Sequence, residues 1–125
     1  MFHFLWVFLG GGIGSLLRYG IAQSLTYLGC PPVATFLANA LSCILLGFLT
    51  ALSLKTDLDQ NYRLFLMTGL CGGFSTFSTF TNETYQLFQN GEFVYALVNI
   101  FGSVLLCLFC IFIGMKMAGL LALSD

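Results

Sequence analysis

The chain alternates between long apolar runs and short polar interruptions. Met1 to Leu17 contains no Lys, Arg, Asp or Glu. Tyr19 to Leu54 contains none either, although Cys30-Pro31-Pro32 cuts it. Leu64 to Asn82 and Phe93 to Met115 are two further uncharged runs. A helix that crosses a bilayer needs about 20 mostly apolar residues. The pattern therefore predicts an all-α membrane protein with four transmembrane spans, over residues 3–23, 33–54, 62–88 and 93–117. Loops are short, so residues 1–125 are expected to form a single integral membrane domain.

The third span is predicted to break near residues 72–76. Adjacent glycines, Gly72-Gly73, each weaken a helix by about 1 kcal/mol relative to alanine. The Ser and Thr residues that follow compete for backbone hydrogen bonds. Irregular backbone at membrane depth survives only where it is buried or lines a cavity. Carbonyls freed there suit a hard cation, and new half-helix N-termini attract anions. Gly10 and Gly14 have G-x-x-x-G spacing and are read as close-packing positions in span 1. That reading suits the span 3 glycines less well, because packing does not explain the hydroxyls after them.

The polar residues inside the spans are not scattered. If span 1 runs from membrane face A to face B, then Thr35, Asn39 and Ser42 form one helical stripe in the B half of span 2. Tyr95, Asn99 and Ser103 do the same in span 4, and Ser75 to Thr84 runs from the middle of span 3 toward B, with Glu83 included. Arg18 also lies near face B. Ser, Thr and Asn often only join helices, for about 0.6–2 kcal/mol each. Three stripes converging in one half, with charges on two spans, favour a path for a solute. The A half is lined by Leu, Phe, Ile and Met, so the path stops halfway unless an inverted partner completes it. Lys55, Arg63 and Lys116 lie on face A, which leans that face toward the cytoplasm.

Composition narrows the class further. Only 7% of residues are charged and 58% are hydrophobic, whereas a soluble domain carries about 25% charged residues. Net charge is −1, which gives no sign of a nucleic-acid partner. A cleaved leader is not expected, because no basic segment precedes the first apolar run. Cys107-x-x-Cys110 has redox or metal spacing but lies mid-span without a flanking His or acid, so the cysteines read as small packing residues. His3 is the one histidine, and no acid sits beside a plausible nucleophile, so an enzyme is not expected.

Phe77 and Phe80 are three residues apart and share a helix face. Thr76, Ser78, Thr79 and Thr81 surround them. An aromatic ring has a positive edge. Ring edges with hydroxyl donors make a lining that attracts an anion without holding a full charge, so the ion can leave again.

These residues resemble the Fluc (CrcB) family of small dual-topology fluoride channels over nearly the whole chain. Span 1 carries Gly11-Gly-Ile-Gly-Ser-Leu-Leu-Arg18-Tyr19, similar to the family's GGxxGAxxRY. Span 2 carries Thr35-Phe-Leu-Ala-Asn39, and span 3 Gly72-Gly-Phe-Ser-Thr-Phe77-Ser-Thr-Phe80-Thr-Asn-Glu83, similar to GTLxVN and GGxTTFSTFxxE. Tyr95, Asn99 and Ser103 match its tyrosine and serine track, with Asn99 in place of a serine and Ser75 in place of a threonine.

The resemblance implies an antiparallel homodimer with two pores, each lined by Phe77 and Phe80 of both subunits, with Asn39 projecting into the path. It implies a structural Na⁺ at the dimer centre, held by backbone carbonyls of Gly72 and Ser75. The function implied is passive, selective export of cytoplasmic fluoride across a cell inner membrane. Thr35, Ser78, Thr79, Tyr95, Asn99 and Ser103 would supply further donors. Arg18 would concentrate anions near face B, while Glu83 would pair with Arg18 or orient donors. The rival reading is a small multidrug-type proton-coupled exporter, which needs an acid deep in the membrane. Span 1 has none. A purely structural subunit would carry no ion flux.

Overall fold

The computed structural model describes residues 2–29 and 32–121. Cys30 and Pro31, expected to interrupt the second apolar run, lie outside the described residues. All regular structure among the described residues is helical. Helices α1 (His3–Tyr27), α2 (Pro32–Lys55) and α6 (Phe93–Leu121) are unbroken, and each is long and apolar enough to cross a membrane. The apolar run expected as the third span folds as a series of shorter helices. A short α3 (Gln60–Arg63) runs into a π-helix (Leu64–Cys71) and then α4 (Gly72–Phe74); after a two-residue break, α5 (Phe77–Gln89) follows.

Each element has a local cause. Pro32 opens α2, where its missing N–H costs nothing. Asp59 caps α3 by accepting the Asn61 N–H at 2.7 Å. Gly29 and Gly91 end α1 and the α5 turn with φ of 77° and 75°, a conformation that favours glycine. Helix α1 runs four residues past its expected end. The helix continues through Ser24 and Thr26, whose hydroxyls bond back to the Gly20 and Ala22 carbonyls beyond the apolar run.

Two glycine-mediated seams hold the bundle together. Helix α1 packs on the π-helix, where a Cβ on Gly10 or Gly14 would collide with the carbonyls of Phe65 and Leu70. Helix α2 packs on α6 in the same way, with Gly47 on the Ile111 carbonyl and Gly114 on the Ile44 carbonyl. Backbones approach this closely only where one side lacks a side chain.

The break falls at the C-terminal end of the expected stretch. Gly72 and Gly73 are helical; Ser75 (φ −74°, ψ 155°) and Thr76 (φ −146°, ψ 107°) are the extended residues. Packing does account for a span 3 glycine: a Cβ on Gly73 would strike the Gly11 carbonyl of α1. Gly72 differs, with no atom within 4 Å of the place where its Cβ would sit. The π-helix upstream was not anticipated.

Candidate functional site

The break is stitched by side chains from α1, from α2 and from its own two residues. Asn39 of α2 accepts the Thr76 N–H on Oδ1 at 2.7 Å and donates from Nδ2 to the Thr76 carbonyl at 3.4 Å. Ser42, one turn on, donates to the Cys71 carbonyl at 2.9 Å, as does Ser75 at 3.1 Å. Arg18 of α1 donates from Nε to the Gly73 carbonyl at 3.3 Å. Thr76 caps α5: its hydroxyl accepts the Thr79 N–H at 3.2 Å and donates to the Thr79 hydroxyl at 2.9 Å.

These bonds leave a backbone oxygen of the break open. Among the described residues, no hydrogen bond outside the helices reaches the carbonyl of Ser75. Gly72 and Ser75 are the two expected to face a cation, and their oxygens have the donor chemistry a hard cation takes. The Ser75 hydroxyl donates its hydrogen to the Cys71 carbonyl.

Phe77 and Phe80 begin α5 with ring centroids 5.7 Å apart and planes tilted by 44°. Phe77 is 78% exposed and Phe80 half-buried, whereas Phe74 is buried at 7%. Ser78 is exposed beside them, 3.4 Å from the Thr76 hydroxyl. Thr79 accepts from Thr76 and so keeps its own hydroxyl hydrogen to donate. Thr81 spends its hydroxyl on the Phe77 carbonyl.

A second polar cluster lies further along α5. Buried Thr35 donates to Glu83 Oε1 at 2.6 Å. Ser103 donates to Asn99 Oδ1 at 3.5 Å, Asn99 donates to the Thr84 hydroxyl at 2.8 Å, and Thr84 donates to the Phe80 carbonyl at 2.8 Å. This one-way chain ties α6 to α5. Beside it is an open cavity of about 610 Å³ lined by Phe36, Glu83, Gln86, Asn90, Tyr95 and Asn99, among others. Tyr95 stands 68% exposed at its wall.

The polar stripes thus meet in two groups, one at the break and one at the groove, joined along α2 by Asn39 and Thr35. Arg18 and Glu83 are not brought together. The arginine serves the Gly73 carbonyl and the glutamate accepts from Thr35, so of the two expected roles for Glu83 the structure favours the donor-orienting one. Thr76 is the residue whose importance sequence reasoning missed. A threonine just before an amphipathic helix is an N-cap signal, but Thr79 occupies the position where Glu or Gln would complete a capping box.

Comparison with known proteins bears on what these groups do. The family described as CrcB-like protein, Camphor Resistance (CrcB), matches residues 5–115. A protein of Pyrococcus furiosus named fluoride-specific ion channel FluC is 45% identical over 113 residues, 90% of this chain and 92% of its own length. A protein of the same name from Thermus thermophilus is 45% identical over 123 residues, 97% of this chain and 98% of its own. One from Phocaeicola vulgatus is 42% identical over 116 residues, 91% and 96% of the two chains.

Proposed function

The chain belongs to the CrcB-like family, and from that premise we propose that it is a passive fluoride channel that drains the cytoplasm. The carrying observation is the match, over nearly all of both chains, to relatives that bear the name of a fluoride-specific channel. It is a channel and not an enzyme. A proton-coupled exporter is not supported: α1 holds no acid, and Glu83 is bonded to Thr35.

Fluoride enters acidified cells as HF, which crosses lipid and dissociates inside. Outward drift of F⁻ through a pore follows the membrane potential, about 2.3 kcal/mol per 100 mV, or roughly a fiftyfold gradient. No energy source is needed. The difficulty is to replace the hydration shell of a small anion. The spare amide hydrogen of Asn39, the Thr79 and Ser78 hydroxyls and the ring edges of Phe77 and Phe80 offer weak donors in sequence. Tyr95, Asn99, Ser103 and Thr35 continue the polar path toward face B, with Glu83 orienting donors. Arg18 adds positive potential near that mouth.

The working unit in this reading is an antiparallel homodimer with two pores, in a cell inner membrane. Two observations support it. The polar groups occupy one half of the bundle, and Phe77 stands open at the break, where a second subunit would cover it. A structural Na⁺ at the dimer centre fits the carbonyls of Gly72 and Ser75. When bound, it would neutralise oxygen dipoles that otherwise face hydrocarbon.

Fluoride efflux from liposomes containing only this protein tests the reading. Rapid efflux without a proton gradient is expected, with chloride retained. Absence of flux, or flux that requires a proton gradient, would overturn it.

A further inference from the structure

The bundle holds thiols that the ion path does not use. Cys43 lies on α2, Cys71 on the π-helix, and Cys107 and Cys110 on α6; all four are free. The contacts of Gly47 with Ile111 and of Gly114 with Ile44 set α2 and α6 side by side. The ring tip of Phe36 lies 3.9 Å from where a Cβ on Gly102 would sit, so the same register continues toward face B. Between these contacts Cys43 comes opposite the turn from Cys107 to Cys110. Cys43 and Cys107 each lie four residues before the Gly47–Ile111 contact, which puts them at one level of the α2–α6 seam, with Cys110 about one turn further along α6. Cys43 and Cys107 are half-buried, and Cys110 is buried at 5%.

We propose that Cys43 and Cys107 form a two-coordinate site for a soft, thiophilic divalent cation, with the mercuric ion as its simplest probe. Softness follows from the donors: two sulfurs, with no carboxylate or imidazole beside them. Two-coordination follows from the surroundings. Among the described residues, no group of three or more His, Cys, Asp or Glu could hold a metal ion, which excludes a four-ligand zinc site. Charge decides between soft ions. Binding breaks two S–H bonds, forms two Hg–S bonds and releases two protons to water, with no electron transferred. Two thiolates and one divalent ion leave a neutral centre. A monovalent soft ion on the same pair would leave a net negative charge in the apolar half of the bundle, where unpaired charge is disfavoured. The bound ion would clamp α2 to α6 one helical turn from Asn39 and from Ser103.

The test is retention of mercuric ion by the intact reduced protein in detergent, dialysed against a large excess of N-acetylcysteine. A lone thiol surrenders its ion to the competitor, and a preformed pair keeps it by chelation. The parent is expected to keep about one ion per chain and to show a thiolate-to-mercury ultraviolet band. Cys30→Ser and Cys110→Ser should keep both. Cys43→Ser and Cys107→Ser should each lose them while eluting as the parent on gel filtration, with Cys43→Ala and Cys107→Ala as replacements if either serine variant fails to assemble. Retention in a Cys43 or Cys107 variant, or its absence from the parent, would overturn the site. Loss in Cys110→Ser alone would overturn the assignment of the pair.

Discussion

The side-chain amide of Asn39 pairs with the backbone of Thr76 at both ends, Oδ1 to N–H at 2.7 Å and Nδ2 to the carbonyl at 3.4 Å. It replaces the helical bonds that this extended residue gives up, and it uses one of its two amide hydrogens to do so. Asn39→Ala would leave both Thr76 groups unpaired at a part-buried site, at about 1–3 kcal/mol for each. Thermal unfolding in detergent should show that loss, and fluoride efflux should fall with it. Unchanged stability would mean that water replaces the amide without penalty.

Phe77→Ile and Phe80→Ile test whether the rings act through their electrostatics. The exchange keeps an apolar side chain but removes the ring quadrupole. Efflux should drop by orders of magnitude while the protein still assembles like the parent on gel filtration, since an apolar exchange of similar volume is well tolerated. Phe74 should behave in the opposite way. It is buried, so Phe74→Ile should cost up to about 1.5 kcal/mol of stability and leave efflux close to the parent's. If both exposed-ring variants conduct normally, the rings only pack, and the anion path runs by Asn39 and the α6 stripe.

Ser75→Ala should retain Na⁺ dependence and most of the flux. The expected ligand is the backbone carbonyl, which the substitution leaves in place, and the side chain's hydrogen is already committed to the Cys71 carbonyl. Flux measured in Na⁺ against N-methylglucamine decides. Loss of the Na⁺ effect would make the hydroxyl the ligand.

Gly14→Ala and Gly12→Ala should differ in sign although they sit two residues apart in α1. A Cβ at Gly14 meets the Leu70 carbonyl, and relieving that overlap should cost about 1–3 kcal/mol. Gly12 has no atom within 4 Å of that position, so alanine should stabilise the helix by about 0.5–1 kcal/mol. Melting curves of the two variants give the comparison directly. A collapse of assembly in Gly12→Ala would identify that face as one covered by a second subunit.

Both orientations should be found in one membrane. A cysteine in a C-terminal tag, probed from one side of sealed vesicles, should label in part from each side. Complete labelling from a single side with full activity would rule out the inverted dimer. The basic residues on face A, Lys55, Arg63 and Lys116, pull toward that outcome.

The three spanning helices were readable because uncharged runs of this length have few other uses. Their ends were less so, since α1 continues through Ser24 and Thr26, whose hydroxyls bond back to its own carbonyls. The break was visible in composition, within residues 72–76, but it falls at Ser75 and Thr76 and not at the glycines. Glycine lowers the cost of leaving a helix, but at Gly73 it is the close approach of α1 that needs the missing side chain. Which polar groups meet could not be read from stripes alone. Arg18 and Glu83 both lie toward face B, yet they face different partners, because helix rotation decides this and depends on packing. The π-helix left no trace in Leu64–Cys71, a run whose residues would suit an ordinary helix equally well.

That π-helix acts as a spacer that sets phase. An ordinary helix turns about 100° per residue, and a helix bonded i to i+5 turns less. The eight residues Leu64–Cys71 therefore determine which way Gly73 and Thr76 point when they meet Arg18 and Asn39. Their side chains matter little to this; their number matters a great deal. Apolar exchanges at exposed positions in the segment leave the phase intact, whereas one inserted or deleted residue swings every donor and acceptor of the break away from its partner. In this stretch the heritable constraint falls on chain length, and on residue identity at Gly69, where a Cβ would strike Gly10 and Val7 of α1.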